Sequence, residues 1–153
     1  MSNVTIAVDA MGGDKGLKAT MPGCMLALKH ADNFNLILVG DQARVKKAVR
    51  RYKLPEDRIE IVHAEEEVFM DDEPAFALRK KKKSSMRIAI DLVKDGRADA
   101  CISAGNTGAL MATAKFVLKT LPGISRPALI ALMPGVDKKA KSLKLTSSYM
   151  LDL

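Results

Sequence analysis

Short apolar runs alternate with amphipathic stretches along the chain, and that alternation sets the first expectation. Val4-Thr5-Ile6-Ala7-Val8 is rich in β-branched residues and ends at Asp9, so it reads as a strand. Leu36-Ile37-Leu38-Val39 is continuously apolar, the mark of a strand covered on both faces. Ile59–His63, Ala98–Ile102 and Ala128–Leu132 also read as strands, and Tyr149–Leu153 reads as one more. Helical spacing fills the intervals. One helix is expected from about Thr20 to His30, with Pro22 tolerated in its first turn, and another from Gln42 to Tyr52, with Val45, Ala48, Val49 and Tyr52 inward. A short helix at Ala75–Leu78 follows, then one carrying Met86, Ala89, Ile90 and Val93 that stops at Gly96, and one after Asn106 with Leu110, Met111, Ala114, Val117 and Leu118. Strands alternating with helices predict a parallel sheet covered on both faces, with sites at the C-terminal strand ends.

Two such ends carry candidate chemistry. In Ser103-Ala104-Gly105-Asn106-Thr107-Gly108 a strand stops and a helix starts, with glycines that admit close backbone approach. Hydroxyl and amide groups on Ser103, Asn106 and Thr107 would join the unpaired N–H groups of the first helical turn. Such a turn suits an anion, most naturally phosphate, and equally well describes an ordinary strand-to-helix connection. The other end is Asp9-Ala10-Met11-Gly12-Gly13-Asp14-Lys15-Gly16, which lacks the GxGxxG order of a dinucleotide site. Asp14 can serve a ligand or merely cap the next element.

Charge adds partners to the picture. At 153 residues the chain fits one domain, and its net charge of +7 favours acidic or phosphorylated partners. Arg44, Lys46, Lys47, Arg50 and Arg51 occupy the polar positions of the second helix, as a solvated face or a docking face. Glu65–Glu67 and Met70–Glu73 form an acidic connection whose irregular spacing does not require a metal. His63, at a strand end without a partner fixed by spacing, is assigned a structural role. The five cations Arg79–Lys83 must be exposed or matched by anions. Ser84 or Ser85 then caps a helix in which Arg87 and Asp91 are spaced i,i+4; alternatively Ser85 and Arg87 face a phosphate pocket.

Composition removes other classes. No Trp and few other aromatics leave no stacking platform for single-stranded nucleic acid, so no nucleic-acid partner is expected. Cys24 and Cys101 lie apart inside apolar runs, without zinc spacing, as small core residues of a reducing compartment. No metal and no cofactor are expected. Neither a spanning run nor a signal-peptide pattern is present at Met1 to Asp9, so a cytoplasmic location is expected.

In order along the chain, Ile6–Asp14, Ser84–Arg87, Ser103–Met111 and Gly123–Ala128 resemble four motifs of the bacterial phosphate acyltransferase family PlsX, with the match running from about Asn3 to Asp137. The resemblance implies a three-layer α/β/α fold similar to those of isopropylmalate dehydrogenases and phosphotransacetylases. It also implies transfer of a fatty acyl group from acyl carrier protein to inorganic phosphate at the start of phospholipid synthesis. Acyl carrier protein is acidic and would meet the basic blocks. A homodimer and peripheral contact with the membrane go with this reading. Asn106, Asp9 and Asp14 would then orient reacting groups, while Ser103, Gly105, Thr107, Gly108, Gly12, Gly13, Ser85 and Arg87 would hold phosphate. Lys15-Gly16-Leu17 departs from the family's usual residues after the first motif. Lys138–Ser148 is longer and more basic than the usual connection, and Leu151-Asp152-Leu153 resembles the opening of a further motif. Residues 1–153 are therefore expected to form a single α/β domain that is the N-terminal part of a longer catalytic domain. Two rival readings remain: a phosphotransacetylase-like enzyme using acyl-CoA, and a non-catalytic basic module binding anionic lipid or nucleic acid.

Overall fold

A computed structural model describes residues 4–137 and 144–152. The sequence reading takes residues 1–153 as one domain; the chain divides into two compact units, Met1–Lys119 and Thr120–Leu153.

The first unit holds strands β1 (Val4–Asp9), β2 (Phe34–Gly40), β3 (Ile59–His63) and β4 (Ala100–Ser103), all parallel in the order β3-β2-β1-β4. Its helices are α1 (Leu17–His30), α2 (Gln42–Tyr52), α3 (Pro74–Lys80), α4 (Ser85–Lys94) and α5 (Thr107–Leu118). Period-two alternation sends neighbouring residues of each strand to opposite faces. Val8, Leu36 and Leu38 pack with Met21, Cys24 and Leu28 of α1 and with Val45, Ala48 and Val49 of α2. Ala7, Ile37 and Val39 pack with Ala89 and Leu92 of α4 on the other face. A third cluster joins Met86 and Ile90 of α4 to Ala77 of α3 and to Ala109 and Val117 of α5. The sheet is thus sandwiched as the apolar run at Leu36–Val39 predicts.

One strand is a correction. The run expected as a fifth strand at Ala128–Leu132 does not join this sheet. It lies in β5 (Leu129–Asp137), which pairs antiparallel with β6 (Lys144–Asp152) in a separate two-stranded sheet of the second unit. An apolar run is compatible with either pairing, and only its partner decides the direction. Most of the basic stretch at Lys138–Lys144 lies outside the described residues, as does Leu153.

Burial pushes the Cys24 thiol from 9.0 up to about 11. An unfolded chain loses this proton first as pH rises, so the associated stability is present below pH 9.0 and is lost towards pH 11. The loss is expected to reach at most about 3 kcal/mol. Urea unfolding at about pH 8 and about pH 11 should show a shallower alkaline fall for Cys24→Ala than for the parent; equal falls would contradict the assignment.

Candidate functional site

The parallel register sets Asp9, the last residue of β1, beside Ser103, the last residue of β4. Asp9 is buried, and its carboxylate is fully engaged. Oδ1 accepts the N–H groups of Met11 (3.3 Å) and Gly12 (3.1 Å), and Oδ2 accepts the Ser103 hydroxyl (2.7 Å). Ser103 Oγ in turn accepts the Gly105 N–H (3.1 Å). One carboxylate therefore ties the β1–α1 turn to the β4–α5 turn.

The glycines allow that contact. A Cβ on Gly12 would lie 2.5 Å from Asp9 Oδ2, and one on Gly105 would lie 3.5 Å from the Gly12 Cα. Gly13 adopts φ +83°, and a Cβ there would meet the Ala104 carbonyl oxygen at 2.6 Å. Side chains at Gly12 and Gly13 would push the two turns apart, whereas a Cβ on Gly105 would sit at ordinary contact distance from Gly12.

Asn106 caps α5 and turns its side-chain amide to the 69–72 loop. Its Oδ1 accepts the Ala109 N–H (3.0 Å), while Nδ2 donates to the carbonyls of Met70 (3.0 Å) and Asp72 (2.8 Å), with Phe69 O at 3.4 Å. Every polar atom of this side chain is spent inside the protein. In this structure Asn106, expected to orient reacting groups, clamps the acidic loop. Gly108 has a related use, because a Cβ there would lie 2.9 Å from Pro74 Cγ at the start of α3. Thr107, by contrast, is exposed at the first position of α5.

Of the two candidate caps for α4, Ser84 is the cap. Its Oγ accepts the Arg87 N–H (3.3 Å) and donates to the Lys81 carbonyl (2.7 Å). Ser85 stands at the first position of the helix, is 1% exposed, and donates its N–H to the Glu66 carbonyl (3.0 Å). Its Oγ has no hydrogen-bond partner. Orphaned buried hydroxyls are unusual and costly. The next residue, Met86, reaches the Gly105 turn, where a Cβ would lie 3.2 Å from Met86 Cε. Arg87 instead turns its Nε to Asp91 at 3.0 Å, the i,i+4 pair its spacing predicts.

The acidic run and the basic block prove to be one electrostatic unit, which sequence order alone did not reveal. Lys81 pairs with Asp72, donates to the Glu67 carbonyl (3.0 Å), and lies 4.2 Å from the centre of the Phe69 ring. Lys83 grips both oxygens of Glu65 at 2.8 and 3.0 Å. Burial pushes the Asp72 carboxyl up, but hydrogen bonds from Lys81 and the Phe69 amide and the Lys81 charge outweigh it and leave the group below its ordinary value. The hydrogen bond and charge of Lys83 likewise hold Glu65 low. A signal was present in the complementary signs of the two blocks.

A cavity of about 690 Å³ opens beside the junction, lined by Gly13–Lys18 of the β1–α1 turn, Met11, Arg44 and the loop Glu67–Asp71. Of the predicted site residues, Gly13 and Asp14 line it. Gly12, Asp9, Ser103 and Gly105 form the wall's internal bracing. Arg44, Lys18 and the acidic loop were not predicted here. His63, as expected, is structural: its Nδ1 accepts the Gln42 N–H (3.2 Å) at the start of α2. Among the described residues no three or more His, Cys, Asp or Glu side chains converge as metal ligands, and no helix is long and apolar enough to cross a membrane.

Known proteins resemble this chain in sequence and in fold. A family model described as "Fatty acid synthesis protein" matches residues 4–148. A phosphate acyltransferase of Francisella philomiragia is 55% identical over 155 residues, covering 97% of this chain and 44% of the relative. One from Francisella tularensis subsp. novicida is 54% identical with the same coverage. The chain thus spans less than half the length of the curated relatives it matches. Among solved structures, a phosphotransacetylase from Streptococcus pyogenes superposes with a TM-score of 0.58 at 20% identity, covering 94% of this chain and 46% of that one. The EutD phosphotransacetylase from Staphylococcus aureus gives 0.53 at 22% identity, covering 94% and 45%. Those likenesses support the three-layer α/β/α fold. The ordered motifs, the braced glycine turns and the match over residues 4–148 agree, and this chain belongs to the fatty acid synthesis protein family, with phosphate acyltransferases among its relatives.

Proposed function

We propose that the chain contributes the phosphate-holding part of a phosphate acyltransferase that moves a fatty acyl group from acyl carrier protein to inorganic phosphate. The observation that carries this reading is the buried, unpartnered Ser85 Oγ at the first turn of α4, one residue before Met86, whose side chain reaches the Gly105 turn. A helix start with an idle hydroxyl favours a multiply charged oxyanion, which would accept from Ser85 and from first-turn amides. Exposed Thr107 and the N–H groups of Gly13 and Gly108 would supply further donors, since those of Gly12 and Gly105 are already taken by Asp9 and Ser103. A phosphate oxygen then attacks the thioester carbonyl, a C–O bond forms, the C–S bond breaks, and the carrier leaves as a thiolate that takes up a proton. No covalent enzyme intermediate is needed. The protein's work is aiming the dianion and stabilising the oxyanion. Asp9, Ser103 and Asn106 act here as positioning residues, and Asp14 and Arg44 border the approach. A homodimer in the cytoplasm, touching the membrane peripherally, fits the same reading.

Ser85→Ala is the direct test. Removing an orphaned hydroxyl should leave the unfolding free energy unchanged or raised, yet weaken phosphate binding about tenfold, the worth of one hydrogen bond to a charged group. Calorimetric titration with inorganic phosphate reads the effect, and unchanged affinity would remove Ser85 from the site. Hydroxylamine trapping of acyl-phosphate, with acyl carrier protein and CoA thioesters compared, reads the donor. Equal use of acyl-CoA would favour the phosphotransacetylase-like alternative.

A further inference from the structure

Beyond Gln42 and Ala43, every exposed residue of α2 is basic. Arg44, Lys46, Lys47, Arg50 and Arg51, with Lys53 just past the helix, are all exposed, and the helix contains no carboxylate. Among the described residues none of these six cations takes part in an ion pair. Glu56 shares a cleft of about 200 Å³ with Lys46 and Arg50 without pairing to either. The contrast with the other basic block is informative, since Lys81 and Lys83 are already matched by the protein's own acids.

Helical spacing arranges five of them in two rows, Arg44-Lys47-Arg51 and Lys46-Arg50, along about 10 Å of axis, with Lys53 at the left-handed C-cap beyond. Like charges held this close raise one another's energy, and they persist at little cost only while exposed to water and salt. An acidic surface would relieve that repulsion. The helix is held rigidly for such a purpose: Asp41 accepts the Arg44 N–H at 2.7 Å, and Val45, Ala48 and Val49 are buried against the sheet.

We infer that the exposed face of α2 is the docking surface for an acidic protein that delivers the acyl donor, with Arg44 marking where that surface meets the cavity. The inference rests on the acyl-transfer reading for the identity of the cargo. Three observations choose a protein over other polyanions. All three apolar residues of α2 named above are buried, so none is left to enter a bilayer. Tyr52 is the helix's one aromatic residue and is half-buried, so bases have nothing to stack on. Two rows at i,i+3 and i,i+4 spacing match carboxylates repeated at the same intervals on a partner helix. A small thioester such as a CoA derivative would need only the cations at the cavity mouth, Lys15, Lys18 and Arg44.

The test uses the chain with fluorescently labelled acyl carrier protein, measured by anisotropy at ionic strengths of about 0.05 and 0.3 M. Wild type should bind at the lower salt and lose about tenfold at the higher. Lys46→Glu/Lys47→Glu/Arg50→Glu should weaken binding by at least about tenfold and flatten the salt dependence, and the milder Lys46→Ala/Lys47→Ala/Arg50→Ala should fall between. Circular dichroism melting confirms that each variant is folded, and phosphate affinity should be unchanged in both. Three results would each overturn the docking surface: no binding by wild type, equal binding by the variants, or an equal loss from Arg79→Glu/Lys80→Glu/Lys82→Glu. Tighter binding to duplex DNA or to phosphatidylglycerol vesicles than to the carrier would overturn it as well. Ser85-dependent phosphate binding is measured separately, so the acyl-transfer reading can survive loss of this surface, and the surface can survive loss of that reading.

Discussion

Asp9→Ala is expected to lower the unfolding free energy by about 3 kcal/mol and to abolish measurable phosphate binding. The deletion strands the N–H groups of Met11 and Gly12 and the hydroxyl of Ser103, all of which end on this one carboxylate. Each buried polar group left without a partner costs about 1–3 kcal/mol, partly offset here by relief from burying a charge. Against a typical total of about 5–15 kcal/mol, such a loss is large. Gly12→Ala provides an independent route to the same state, because its Cβ would occupy space 2.5 Å from Asp9 Oδ2 and displace the carboxylate. The two substitutions should therefore be strongly non-additive: the double variant should cost clearly less than the sum of the singles. Urea titrations of the four proteins decide the matter. Additive losses, or an Asp9→Ala protein as stable as the parent, would show that the turns are held together by something other than this carboxylate.

The second large effect belongs to Asn106, and it separates two jobs. Asn106→Ala removes the cap of α5, worth about 1 kcal/mol, and also frees the carbonyls of Met70 and Asp72. Asn106→Asp keeps a cap acceptor at the positive end of the helix but points a carboxylate at those same carbonyls. The Ala variant should lose about 1–2 kcal/mol of stability and the Asp variant less. Both should raise amide hydrogen exchange across the 69–73 loop about tenfold or more, since the clamp is gone in each. Unchanged exchange in the Asp variant would mean that the loop is held by the Lys81 contacts alone. Because this loop walls the cavity, phosphate affinity should fall in both variants through the loop that Asn106 holds.

The salt-linked pairing of Lys81 with Asp72 and of Lys83 with Glu65 reinforces the same loop. Both carboxyls are held below their ordinary values, so this contribution is present at neutral pH and is lost only in acid. The pairing that holds the loop should accordingly be insensitive to pH near neutrality.

Most elements of the first unit were legible in the sequence because they depend on local periodicity, although α1 begins at Leu17 rather than about Thr20 and so carries Pro22 inside the helix rather than in its first turn. Leu36–Val39 announced a doubly covered strand, and the Gln42–Tyr52 spacing gave the bounds of α2 residue for residue. The four ordered motifs carried the family. Pairing was not legible for β5, since an apolar run says nothing about which strand lies beside it or in which direction. Side-chain direction at the site was also beyond sequence. Asn106 reads as a ligand donor from its place in a glycine turn, and only the position of the 69–72 loop, 34 to 37 residues away in the chain, turns its amide inward. The pairing of the acidic and basic blocks follows the same logic. Residue type determined what each group could do; which partner it met, and so what remained free for a ligand, was decided by long-range packing, because a hydrogen bond is made to the nearest well-oriented partner and sequence does not specify distance.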